Sequence, residues 1–175
     1  MMRKALVVVD MQNDFISGVF GSDAAEAIVE KVRDYVASFD GDVFFTQDSH
    51  LSPEFLEPET TSYEEKNLAP HCIYQTWGWE IVDKLKPLTD MSRIITKSEF
   101  GSIDLGEILR PYEEIEFCGV CTDMCVLSNV VIVQTQNPYA HIVVLEDLCA
   151  GSSKFHHEVA LRLMQESLLI SVRKG

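Results

Sequence analysis

Short apolar runs recur along the chain at residues 4–10, 42–46, 93–96, 115–120, 141–146 and 168–172, and the intervals between them are long enough for helices. This alternation predicts parallel βαβ units in a three-layer α/β/α domain, built on a mostly parallel six-stranded sheet of the Rossmann-like kind. Ala24, Ala27, Ile28, Val32 and Tyr35 recur at the spacing of one helix face, and Ser22 or Asp23 can cap that helix. Val159, Leu161, Leu163 and Met164 belong to a last helix that Ser152 or Ser153 can cap. The run Val130-Val131-Ile132-Val133 is β-branched, so it continues a helix opened by Thr122-Asp123 only where burial overrides propensity. From Asp48 to Pro70 the pattern fails: the segment is polar, proline-marked and aperiodic. A loop of that length in a compact domain is usually functional or disordered.

A length of 175 residues fits one domain over 1–175 with a sizeable core. Acidic residues number 28 against 14 Lys and Arg, a formal charge of −14. That excess disfavours nucleic acid or an anionic membrane as partner and suits a small neutral or cationic substrate. The opening Met1-Met2-Arg3-Lys4, followed by a short run ending at Asp10, lacks the length and cleavage site of a signal peptide. No run is long enough to span a bilayer, so a cytoplasmic location is expected. Five cysteines without a regular framework fit a reducing compartment. Cys121 and Cys125 have three residues between them rather than the two of a thioredoxin-type pair. A homo-oligomer is compatible with all of this.

The segment Phe117-Cys118-Gly119-Val120-Cys121-Thr122-Asp123-Met124-Cys125-Val126 reads as a buried strand, a tight turn at Gly119 and a helix start. Such a geometry aims the Cys125 thiol from the positive end of a helix dipole, which favours the thiolate. Asp10 closes the first apolar run and Lys97 follows another. Ligands of an open parallel sheet bind outside the carboxyl ends of its strands, so Asp10, Lys97 and Cys125 are expected to converge there. The aperiodic segment begins with Asp48 and His50 and ends near His71, which marks it as a candidate lid and metal-binding segment. His141, His156 and His157 read as structural.

In these motifs the chain resembles the cysteine hydrolases of the isochorismatase-like superfamily, and within it the nicotinamidase/pyrazinamidase-related amidases. The resemblance is carried in order by Val9-Asp10-Met11-Gln12-Asn13-Asp14-Phe15, Thr46-Gln47-Asp48-Ser49-His50, Pro70-His71-Cys72, Thr96-Lys97 and Gly119 to Val126. It implies a catalytic triad of Asp10, Lys97 and Cys125. Asp10 then takes the thiol proton, Lys97 stabilises the charges and Cys125 attacks an amide carbonyl. It further implies a cis Val120–Cys121 peptide and an oxyanion hole formed by the backbone N–H groups of Cys121 and Cys125. One divalent metal, zinc first and manganese or iron next, is implied at Asp48, His50 and His71. Glu64 is the preferred fourth ligand, with Glu54, Glu57, Glu59 and Glu65 as alternatives. Phe15 is expected to line the substrate pocket, with Trp77 and Phe100 as further candidate walls.

The chain departs from the family pattern at Met124, where His is common, and at Leu68, where an aromatic is frequent; the segments after Lys97 and Cys125 match only in part. These changes fall on the pocket and leave the triad intact, so the reaction is better specified than the substrate. The expected activity is hydrolysis of a small amide, nicotinamide to nicotinate and ammonia, as in NAD salvage. A carbamoyl or ureido compound is the alternative substrate, and a non-catalytic binding or scaffold protein with a relic triad is the alternative of a different class.

Overall fold

The computed structural model describes residues 2–57, 59 and 61–175. Among them six strands form one sheet: β1 (Lys4–Val9), β2 (Asp42–Asp48), β3 (Ile94–Lys97), β4 (Glu114–Val120), β5 (His141–Ala150) and β6 (Ser171–Arg173). Their order is β3-β2-β1-β4-β5-β6 and every pairing is parallel. The chain therefore builds outward from β1 to one edge, then returns to β4 on the other side of β1. That reversal places a switch point between β1 and β4, where open α/β sheets leave a crevice at the strand carboxyl ends.

The period-two alternation of a strand sends neighbouring side chains to opposite faces. In β1, Leu6 and Val8 join one core while Ala5, Val7 and Val9 join the other, and all five are fully buried. Full burial of such aliphatic side chains contributes roughly 1.5–3 kcal/mol each, so the central strand anchors both layers. Helix α1 (Asn13–Ile16) follows β1, and α2 (Asp23–Ser38) covers the first face through Ala25, Ile28, Val29, Val32 and Val36. Ser22, not Asp23, caps α2 by accepting from the Ala25 amide. The second face is covered by α4 (Ile103–Ile108), α5 (Leu127–Gln136) and α6 (Lys154–Glu166), with Ser153 rather than Ser152 as the cap of α6. The β-branched run sits inside α5 because Val130 and Val133 are fully buried, which is the tertiary override that its propensity required.

Two features differ from the sequence reading. Among the described residues the connection from β2 to β3 carries one short α-helix, α3 (Tyr63–Asn67), and otherwise only 3-10 turns, because the rest of the segment lacks a helical apolar face. Gly119 is not a turn but a strand position with φ 113°, paired with Val9, and the register of β4 on β5 shifts between Phe117 and Gly119. The chain then opens a π-helical turn, Thr122–Val126, before α5.

A Cβ on Gly119 would lie 2.1 Å from the Val9 carbonyl oxygen. Gly119→Ala should therefore destabilise the protein by at least about 2 kcal/mol, combining a left-handed φ with a backbone clash in a packed sheet. Urea denaturation of wild type and variant measures the difference.

Candidate active site and metal centre

The end of β1 carries Asp10, whose backbone adopts a left-handed φ of 49° as the chain leaves the sheet. Lys97 is the last residue of β3, and Cys125 lies in the π-helical turn that follows β4. The three expected residues meet at the switch point. The Lys97 ammonium stands 2.7 Å from Asp10 Oδ2, 3.0 Å from Asp48 Oδ1 and 3.9 Å from Cys125 Sγ, and all four residues are buried. Asp10 Oδ1 accepts from the Thr46 hydroxyl at 2.6 Å, while the Asp10 amide donates to the same hydroxyl oxygen at 3.2 Å. Thr46 was legible only as part of a motif; its role as the anchor of Asp10 depends on β2 lying beside β1.

Charge in this dry site is governed by burial. Burial raises the Asp10 carboxyl above its ordinary value, against the opposing pull of Lys97 and Thr46. Burial and the Asp10 charge push the Cys125 thiol well above the ordinary cysteine value, with Lys97 lowering it. This reverses the sequence expectation of a thiol acidified by a helix start, since desolvation and a neighbouring carboxylate outweigh one helix end. Lys97 is raised by Asp10, Cys125 and Asp48 despite its burial, and stays charged. The Cys125 thiol thus stands beside the Asp10 carboxyl group and the Lys97 ammonium, groups between which a proton can pass.

The Val120–Cys121 peptide is cis. The Cys121 carbonyl accepts from the amides of Met124 at 3.0 Å and Val126 at 3.1 Å, passing over the amide of Cys125. A π-helical turn, with its wider ring, leaves that N–H before the first i→i−5 bond.

Beside the triad, Asp48, His50, Glu64 and His71 are all buried, and one donor atom from each lies within 4.8 Å of the others. Asp48 Oδ2 is 3.0 Å from His50 Nε2 and 3.3 Å from His71 Nε2; Glu64 Oε1 is 3.6 Å from His71 Nε2. The far ring nitrogens are also held, His50 Nδ1 by Glu65 at 3.3 Å and His71 Nδ1 by the Ala69 carbonyl at 2.9 Å, which turns both Nε2 atoms toward Asp48. Burial would raise the Asp48 carboxyl, yet His50, His71 and Lys97 hold it well below its usual range. Burial also works against a charged His71, but Asp48 and Glu64 outweigh it and push the imidazole up to about 10. Glu64 Oε2 is buried without a hydrogen-bond partner among the described residues, an oxygen that a cation would satisfy. The donor set therefore fits a divalent ion.

Glu64 is distinguished from its alternatives by burial. Glu54, Glu57 and Glu59 are exposed, and Glu65 supports His50 from outside while closing a capping box with Ser62 at the start of α3. The Ser62-x-x-Glu65 capping pattern, which the sequence reading did not use, is the signal that marks α3 within the aperiodic segment.

A cavity of about 170 Å³ opens onto Cys125 and is lined by Phe15, Phe20, Glu64, Leu68, His71, Phe100, Cys121, Met124 and Ser152. Phe15 and Phe20 stack at 6.3 Å, and both pack on His71, at 5.5 and 5.0 Å between ring centroids. Phe20 lay outside the sequence reading, and Ser152 entered it only as a candidate helix cap; neither sits in a motif, and both reach the cavity through loops. Trp77 is exposed and does not line it. His141 is exposed and bonds Ser171, and His157 bonds the Thr122 hydroxyl at 2.8 Å, away from the reacting groups. No helix among the described residues is long and apolar enough to cross a membrane.

Comparison with known proteins places these features in context. The isochorismatase domain model matches residues 4–172. An isochorismatase family protein, PncA of Bacillus subtilis (strain 168), is 31% identical over 95% of this chain and 97% of its own length. The nicotinamidase of Saccharomyces cerevisiae is 27% identical over 73% of this chain and 80% of its own. A crystal structure of the pyrazinamidase of Pyrococcus horikoshii in complex with zinc superposes with a TM-score of 0.82 at 27% identity, covering 99% of each chain.

The electrostatic arrangement predicts that Lys97→Met moves the pH profile of Cys125 alkylation upward, because the cation that lowers the thiol is lost while Asp10 remains. Iodoacetamide labelling across a pH series, read by peptide mass spectrometry at Cys125, measures the shift. An unchanged profile would make Lys97 a structural partner of Asp10 alone.

Proposed function

We propose, on the premise that this chain belongs to the isochorismatase domain family, that it hydrolyses nicotinamide to nicotinate and ammonia through a Cys125 thioester. The chain is an amide-hydrolysing enzyme, and its relatives include a nicotinamidase and a pyrazinamidase. The observation that carries the reading is one ammonium, that of Lys97, in contact with Asp10 and Cys125 at the floor of a small aromatic-walled cavity.

Asp10 takes the proton of the Cys125 thiol as the sulfur attacks the amide carbon. Its raised affinity for a proton suits this exchange. The carbonyl oxygen, now negative, lies toward the amides of Cys121 and Cys125. Asp10 then returns the proton to the departing nitrogen, the C–N bond breaks and ammonia leaves. Water, deprotonated by the same carboxylate, attacks the thioester, giving the carboxylic acid product and restoring the thiol. Lys97 keeps its charge throughout and balances whichever of Asp10 and Cys125 is anionic. Asp48, His50, Glu64 and His71 would hold a divalent ion, and their mixed nitrogen and oxygen donors suit zinc, with manganese or iron as alternatives. A bound ion would supply a Lewis acid for a heteroatom of the substrate. Phe15 and Phe20 supply the flat apolar surface that an aromatic amide needs.

An ammonia-release assay over nicotinamide, pyrazinamide and carbamoyl compounds tests the substrate, with nicotinamide or pyrazinamide expected to be turned over. Cys125→Ala should abolish release while leaving the fold intact, and Asp10→Asn should lower turnover by at least about 100-fold. Activity retained in Cys125→Ala, or lost on Cys121→Ala alone, would move the nucleophile elsewhere. Elemental analysis of the purified protein should find about one divalent ion per chain, lost in His50→Ala or His71→Ala. Full activity in a metal-free wild type would sink the metal centre without touching the triad.

A further inference from the structure

Two residues beyond Asp10 lies Gln12, a fully buried polar side chain that the reaction does not use. Its amide is saturated by backbone. Gln12 Oε1 accepts from the Asp48 amide at 2.7 Å, and Gln12 Nε2 donates to the carbonyl of Asp48 at 2.8 Å and to that of Trp79 at 2.8 Å. The reason lies in the sheet. β2 pairs with β3 as far as Asp48 opposite Lys97, but on its other side β2 pairs with β1 only as far as Phe45 opposite Val8. β1 ends one residue later, at Val9, and the chain turns away at Asp10. The N–H and C=O of Asp48 on that side would be buried without partners, a cost of about 1–3 kcal/mol for each group. The Gln12 carboxamide has the donor and acceptor of a peptide unit and fills the place of the absent strand residue.

We infer that Gln12 is a positioning residue for the metal centre, acting through the Asp48 backbone as a surrogate for the missing residue of β1. Resting on the metal reading above, the inference assigns Gln12 the task of fixing where the Asp48 carboxylate points. That carboxylate meets His50, His71 and Lys97 at once, so a small rotation of the Asp48 backbone would spoil several contacts together. The residue type follows from the bonds. A glutamate would set an oxygen against two carbonyl oxygens, and a methionine of similar length would leave the Asp48 N–H and C=O unbonded, while the Trp79 carbonyl would keep only the Gln47 amide, at 2.9 Å.

The test uses the full chain stripped of metal with a chelator, then titrated with zinc against a chromophoric competitor. Gln12→Met and Gln12→Glu are compared with wild type and with Val32→Ala, a core variant in α2 remote from the site. Each is also followed by circular dichroism and urea denaturation. The expected result is folded Gln12 variants whose zinc affinity falls by 10-fold to 100-fold, the range typical of residues that orient metal ligands. Val32→Ala should lose stability but keep wild-type affinity. Gln12 variants that lose stability yet bind zinc as wild type does would overturn the inference and make Gln12 a fold residue only. Failure of both to fold would overturn it in the same way. A wild type that binds no zinc would remove the metal reading itself and the inference with it.

Discussion

The ammonium of Lys97 is the contact on which the site depends. It is buried between two carboxylates, and a charge in such a place persists only when paired. Asp10 and Asp48 provide the pairing, and the same cation touches both halves of the site, the Asp10–Cys125 pair and the group of candidate metal donors. Removing it would leave two carboxylates facing each other in a dry environment, so neither half can be altered as if it were separate.

Topology explains why such an ion pair can be assembled at all. Asp10, Asp48 and Lys97 end three strands that lie side by side in the sheet, so their side chains emerge at one level. Cys125 comes from the π-helical turn that follows β4, the first strand beyond the reversal. Loops then supply what strands cannot. The Cys72 amide donates to Asp14 Oδ2 at 2.7 Å, which ties the residue after His71 to α1, and Gly78 leaves room for that carboxylate because any Cβ there would overlap it.

Much of this was legible in the sequence. The apolar runs marked all six strands, because buried parallel strands carry uninterrupted hydrophobic character, and short motifs at strand ends marked Asp10, Lys97 and Cys125. What escaped was set by tertiary contact. The Cys125 thiol is raised rather than lowered, since its burial and its distance from Asp10 are properties of the packed site. Glu64 was already the preferred acid of five, and its burial beside His71 is what sets it apart from the other four. Gly119 looked like a turn because glycine after a strand commonly is one, and only its pairing with Val9 shows that the left-handed φ lies inside the sheet.

The seam between β1 and β4 has a kinetic meaning. It joins Lys4 to Glu114 and Val9 to Gly119, pairings between residues far apart in the chain, whereas β1 with β2 is more local. Contacts that close long loops form against a larger entropy cost and so tend to come late in folding. Asp10, Asp48, Lys97 and the histidine donors all lie on the N-terminal side of that seam, and Cys125 on the other. A partly folded chain with each side formed but the seam open would already gather its carboxylates and imidazoles without the Cys125 thiol beside them. In such a chain hydrolytic competence would wait on closure of the seam.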